Sequence, residues 1–185
     1  MLEYDGTHYC GFQRQVRGRT IQAELEGVIH RLTGEFRPVV GSGRTDSGVH
    51  ARGQVVHFQT DWKHPCPDLL RAMNALLPED IVVRKVYPVT AEFHARYSAR
   101  SRLYRYAIYN RAVRSPFCSR FAHHVAAPLD VEKMNWAAQY IVGAHDFAAF
   151  GRSPNEGHTV RRISRAEWTR NGDWVFFEIE ANAFL

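Results

Sequence analysis

One carboxylate stands in a run of glycines and arginines: Gly41-Ser-Gly43-Arg44-Thr45-Asp46-Ser47-Gly48-Val49-His50-Ala51-Arg52-Gly53. The run holds four glycines and two arginines around Asp46. Glycines let a backbone turn sharply and approach a ligand closely. A cation two residues away, Arg44, favours the ionised form of Asp46. An ionised aspartate on a tight basic turn suits chemistry on something anionic. An ordinary Gly-rich surface turn would use the same glycines. A phosphate cradle fits less well. The third glycine of a dinucleotide fingerprint would fall at Asp46, and no Walker Lys-Ser/Thr pair is present. The next residues, Gln54-Val-Val-His-Phe-Gln-Thr60, read as a strand, so no helix N-terminus follows to hold phosphate.

The elements that position this loop follow from periodicity. Ile21, Leu25, Val28, Ile29 and Leu32 repeat at helical spacing, so residues 20–33 read as a helix with Thr20 as N-cap and Gly34 as stop. Residues 36–41 and 53–60 read as strands on either side of the loop. A helix is expected over 68–77, capped by Asp68 and ended by Pro78, then a strand over 81–87. A link over 88–102 contains Phe93-His94-Ala95-Arg96. Residues 103–109 read as a strand with Tyr104, Tyr106 and Ile108 on one face. A helix capped by Asp130 runs to about Val142 and stops at Gly143. Residues 159–169 and 174–183 alternate as strands, with Asn171-Gly172 as a hairpin signal.

Written in order, the elements give βαββαβ once in full and once cut short. The expected fold class is therefore α+β. It comprises duplicated ferredoxin-like halves with mainly antiparallel sheets flanking a basic cleft, the second half lacking its last helix and strand. The corresponding domains are residues 1–100, carrying the Asp46 loop, and residues 101–185.

Composition narrows the class. The 185 residues are 45% hydrophobic and 12% aromatic, enough for a core. The net charge of +5 comes from 24 Lys+Arg against 19 Asp+Glu, a balance that suits an anionic partner. Arginines cluster at Arg14, Arg17 and Arg19, at Arg96, Arg100, Arg102 and Arg105, and at Arg161, Arg162 and Arg165. Their guanidinium forks grip phosphate as lysine does not. Cys10, Cys66 and Cys118 form no CxxC unit, which points to a reducing cytoplasm. The histidines form no HExxH, and His123-His124 cannot face one side of a strand together, so no metal site is expected. No apolar run reaches membrane-spanning length, and the N-terminus lacks signal-peptide character.

Several segments together resemble one family. Glu3-Tyr4-Asp5-Gly6-Thr7 through Gln13-Arg14-Gln15, the loop with Gly-Arg-Thr-Asp-x-Gly-Val-His, Phe93-His94-Ala95-Arg96, Tyr104-Arg105-Tyr106, His145-Asp146-Phe147 and Asn182-Ala183-Phe184-Leu185 follow the order of the TruA family of tRNA pseudouridine synthases. The resemblance implies isomerisation of uridine to pseudouridine in the tRNA anticodon stem-loop (38, 39 or 40 in tRNA numbering). It implies no cofactor, a homodimer, and Asp46 as the catalytic aspartate with Arg44 beside it and Tyr104 at the target base. Arg14, Arg52, Arg102 and Arg105 are the expected RNA-backbone contacts. Tyr104 also reads as a core aromatic and Arg44 as a structural partner of Asp46. Three departures stand out: Phe12 where the family has Trp, Ser42 and Ser47 where alanine is common, and no basic helix after Leu185. The last keeps a second reading open, a structured-RNA-binding module without chemistry.

Overall fold

The computed structural model describes residues 1–151 and 159–185. The chain divides into two units, Met1–Ala99 and Arg100–Leu185.

In the first unit, β1 (Leu2–Tyr4) lies between β3 (Ala51–Gln54) and β5 (Ile81–Val83), antiparallel to both. A second small pairing joins β2 (Val40–Gly41) to β4 (Val56–His57) across the Asp46 loop. Helix α1 (Ile21–Thr33) starts where Thr20 accepts the Ala23 amide, and it ends at Gly34, whose φ of 77° is left-handed. Ile21, Leu25, Val28 and Ile29 of α1 pack with Leu69 and Met73 of α2 (Cys66–Leu76) and with Leu2, Tyr4, Ile81 and Val83 of the sheet. That apolar face is the one read from the spacing. Its unforeseen member is Glu26, 1% exposed among them.

The strands around the loop are shorter than the residue types suggest. The stretch expected over 36–41 is strand only at Val40–Gly41, and 53–60 breaks into β3 and β4. The break has a register cause: β3 pairs with β1 while β4 pairs with β2. Helix α2 begins at Cys66 behind Pro65, two residues before the expected cap. Pro67, in the first turn, already holds the helical φ and has no amide for a cap to satisfy. Asp68 sits in the first turn instead and bonds Arg71.

In the second unit, five strands run in the order β7-β6-β10-β9-β8. They are β6 (Arg102–Asn110), β7 (His123–Val125), β8 (Gly143–Asp146), β9 (Val160–Asn171) and β10 (Trp174–Ala181). The β9–β10 hairpin forms where expected, but its two central residues are Gly172 and Asp173, with Gly172 at φ 57°. A positive φ at the first central position is what a type II′ turn requires. Helix α3 (Val131–Ala138) is capped by Asp130 and tightens into a 3₁₀ turn at Gln139–Ile141. Gly143 (φ 113°) then opens β8 rather than capping the helix. Ala138, Ile163, Ala166 and Ala181 form this unit's core with Trp168, Phe177 and Phe184 against it. The described residues form a mixed α+β chain with mainly antiparallel sheets; among them the one parallel pairing is β6 with β7.

Candidate active site

Residues 4–12 underlie the Asp46 loop and bond it at Thr45, Ser47, Gly48 and His50. The Tyr4 hydroxyl lies 2.9 Å from Thr45 Oγ1, and the Phe12 amide donates to the Thr45 carbonyl at 2.9 Å. The Tyr9 carbonyl accepts twice, from the Gly48 amide at 3.3 Å and from the Ser47 hydroxyl at 3.2 Å. The Gly6 amide donates to His50 Nδ1 at 3.1 Å, and Asp5 Oδ1 lies 2.9 Å from the same nitrogen. Behind the loop, Gln54 Nε2 donates to the Gly43 carbonyl at 2.6 Å.

Two glycines make this approach possible. A Cβ on Gly6 would stand 2.1 Å from the Val49 carbonyl oxygen. One on Gly11, itself at φ 88°, would stand 2.7 Å from the Thr45 carbonyl oxygen and 3.2 Å from the Asp46 carbonyl carbon. The loop closes on an Asp46 to Val49 turn, in which the Val49 amide donates to the Asp46 carbonyl at 3.2 Å. Gly48, at φ 78°, takes the position where a type II turn needs a left-handed residue.

The platform has its own anchors. Tyr9, 2% exposed, donates its hydroxyl to Asp80 Oδ1. Burial and then that hydrogen bond push the Tyr9 phenol well above its ordinary pKa. Burial alone would raise the Asp5 carboxyl, but the Thr7 hydroxyl and amide, and then His50, carry it below the usual carboxylate range.

Asp46 itself is exposed, and among the described residues nothing bonds its carboxylate. Arg44 is exposed likewise, and the two form no ion pair. The alternative reading of Arg44, as a structural partner of Asp46, finds no ion pair among the described residues: the loop's hydrogen bonds run through Thr45, Ser47 and Gly48. Arg52, exposed on β3, also has no bonded partner among the described residues.

The other expected RNA contacts are already engaged. Arg14 Nη1 lies 3.1 Å from Oε2 of the buried Glu26, and its guanidinium stands 5.0 Å over the Phe36 ring. In the second unit, Arg105 donates to Glu178 through Nε at 2.8 Å and stands 5.2 Å over Phe176. Arg105 and, with it, Arg165 hold the Glu178 carboxyl below its usual range against the effect of burial. Arg102 Nη1 donates to the Asn182 carbonyl at 2.9 Å. Asn182 Oδ1 in turn accepts the Arg162 and Ala183 amides at 2.9 and 3.0 Å. That arrangement sets Phe184 edge-on to Tyr104, with ring centroids 4.7 Å apart at 79°. Tyr104 is 38% exposed on β6, a ring gripped on one side and open on another.

The residues that sequence reading left without a role are Tyr4, Gly6, Tyr9 and Gly11. Their one signal was a second Gly-containing stretch, Asp5-Gly6 through Gly11, in which a turn at Asp5-Gly6 accounts for the first glycine and not for Gly11.

A glycine-lined loop, bonded from beneath, that presents an unbonded carboxylate and exposed arginines is chemically suited to an anionic substrate. A family model described as tRNA pseudouridine synthase matches residues 1–98 and 137–185. The tRNA pseudouridine synthase A of Roseiflexus castenholzii is 45% identical over 188 residues, covering 100% of this chain and 70% of the relative. Those of Thermoanaerobacter sp. strain X514 and Brevibacillus brevis are 42% and 44% identical over 186 residues, each covering 100% of this chain and 76% of the relative. The chain belongs to the tRNA pseudouridine synthase family, a family of isomerases.

Proposed function

We propose that this chain converts uridine to pseudouridine in the anticodon stem-loop of tRNA, with Asp46 as the catalytic carboxylate. The observation that carries the reading is the state of Asp46: the backbone around it is bonded on both sides, while its own carboxylate is left open. The reaction breaks the bond from ribose C1′ to N1 and forms one from C1′ to C5. The proton lost from C5 is balanced by one gained at N1. A free carboxylate serves either as nucleophile at the ribose or as acceptor of a ribose proton. A target uridine in a stem or its loop has to be extruded, at a cost of about a few kcal/mol. Tyr104 is suited to stack on the extruded base and assist removal of its C5 proton. Arg44 and Arg52 are suited to phosphate, since neither is engaged elsewhere.

The duplicated reading of the fold belongs here too. Unit Met1–Ala99 follows β1-α1-β2-β3-β4-α2-β5 and unit Arg100–Leu185 carries β6, α3, β9 and β10 in the corresponding order, which supports two ferredoxin-like halves. No cofactor enters this scheme, and a cytoplasmic homodimer is the assembly and place we assign to it.

The test is Asp46→Asn, which keeps the side chain's shape and removes its charge. Wild-type protein should form pseudouridine in a transcript carrying an anticodon stem-loop. The variant should form none while binding the RNA with unchanged affinity. Wild-type turnover by the variant would remove Asp46 from the mechanism. Salt-dependent binding by wild-type protein with no product at enzyme excess would favour the RNA-binding module instead.

A further inference from the structure

The segment between Cys10 and Thr20 has a fixed neck and a bare head. At the neck, the Cys10 amide donates to the Arg19 carbonyl at 2.8 Å, the Ile21 amide to Gly11 at 3.3 Å and the Gln22 amide to Phe12 at 2.9 Å. Phe12 and Thr20 are buried at 3% and 0% exposure. Between them, residues 13–19 are all exposed. The head is nevertheless structured. Gln15 Nε2 donates to the Cys10 carbonyl at 2.7 Å, and the Arg14 amide donates to Gln22 Oε1 at 2.9 Å. Gly18, at φ 91°, turns the chain against Cys10, where a Cβ would come within 2.5 Å of Sγ.

Three arginines stand on or beside this head, and the structure separates them. Arg14 is held by Glu26 at 3.1 Å. Arg19 is held by Glu24 at 2.6 Å and lies 3.5 Å from Asp80, with its guanidinium 4.6 Å over the Tyr9 ring. Arg17 has no ion pair or hydrogen bond for its guanidinium among the described residues. Its neighbour Val16 is the most exposed of the large apolar side chains, at 103%. The head therefore offers one uncommitted fork and one bare aliphatic tip. Its neck abuts the catalytic loop, since Gly11 lies against the carbonyl groups of Thr45 and Asp46.

We infer that residues 13–19 form an RNA-contacting arm. Arg17 takes a backbone phosphate near the target uridine, and Val16 packs on the adjacent ribose or base. The inference rests on the pseudouridine-synthase reading, which supplies the polyanion. The chemistry on the arm supplies the rest. A planar fork free of internal acids is suited to bidentate phosphate contact, and an apolar tip beside it can lie against a sugar or wedge against a base step. The neck's hydrogen bonds lower the ordering cost of such a contact, because the arm is already shaped.

The experiment is a salt titration of binding to an anticodon stem-loop RNA, with single-turnover conversion at saturating enzyme. Arg17→Ala should raise Kd about tenfold and lower the slope of log K against log salt by about 0.7 to 0.9. Val16→Asp should weaken binding further by placing like charge beside phosphate. Arg31→Ala is the control. It removes the same charge from an exposed site eleven residues along α1 from Thr20, about 16 Å by helical rise. Arg17→Ala matching Arg31→Ala in both Kd and slope would overturn the arm while leaving the enzyme reading intact. Wild-type protein that shows neither binding nor conversion would overturn both.

Discussion

Gly11 lies directly beneath Thr45, so close that a Cβ on the glycine would come within 2.7 Å of the Thr45 carbonyl oxygen. The Asp46 loop thus rests on the backbone of the segment between β1 and α1, with no side chain between. Gly11→Ala must move the loop, and the alanine must also hold a φ of 88°. We expect a loss of about 1–3 kcal/mol in stability and a fall in turnover of about a hundredfold from a misplaced Asp46. Gly34→Ala separates the two effects. It shares the left-handed φ, at 77°, but its Cβ would meet nothing within 4 Å. That variant should lose stability in urea unfolding and keep wild-type turnover. Equal turnover losses in the two variants would show that backbone strain, not loop displacement, is responsible.

Tyr9 makes a pH-dependent prediction. Burial and the Asp80 hydrogen bond raise its folded pKa, whereas the unfolded chain releases the proton near about 10. The contribution is therefore complete below about pH 10 and declines above it, as the unfolded state ionises while the folded state does not. The slope is about 1.4 kcal/mol per pH unit. Tyr9→Phe has no such proton. It should be less stable than wild type by about 1 kcal/mol at pH 8, and the gap should close as pH rises beyond about 10. Urea unfolding of both proteins across this range reads the gap. A gap that does not change with pH would place the phenol's stabilisation elsewhere.

How much of this was legible in the residues can be argued from a few of them. The limits of α1 were, because Thr20 and Gly34 act locally: one oxygen accepts a nearby amide, and one residue tolerates αL. The Asp46 loop was legible as chemistry, because its glycines and charges are contiguous. Glu26 was not, since a carboxylate inside an apolar face is tolerable only when a distant amide, Val39 at 3.1 Å, and a distant cation, Arg14, come to meet it. The roles of Gly6 and Gly11 were hidden for the same reason: what excludes a Cβ there is backbone some 34 to 43 residues away. Strand β7 was missed because it has only three residues, and Gly143 misled because a left-handed glycine ends a helix and opens a strand equally well.

The arginines test the distinction between engaged and open charge. Arg52 and Arg105 were both expected on RNA, yet only Arg52 is uncommitted. Arg105 is bound to Glu178, whose side chain is 13% exposed and also meets Arg165 at 2.9 Å. Removing Arg105 leaves that carboxylate with one cation and uncovers Phe176. Arg105→Ala should therefore cost about 1–2 kcal/mol in urea unfolding. It should leave the salt dependence of RNA binding at the wild-type slope. Arg52→Ala should do the reverse. Its stability should stay within about 0.5 kcal/mol of wild type, and its binding slope should fall by about 0.7 to 0.9 for one lost phosphate contact. Both readouts come from the same two variants, so a slope loss in Arg105→Ala would show that RNA binding draws Arg105 away from Glu178.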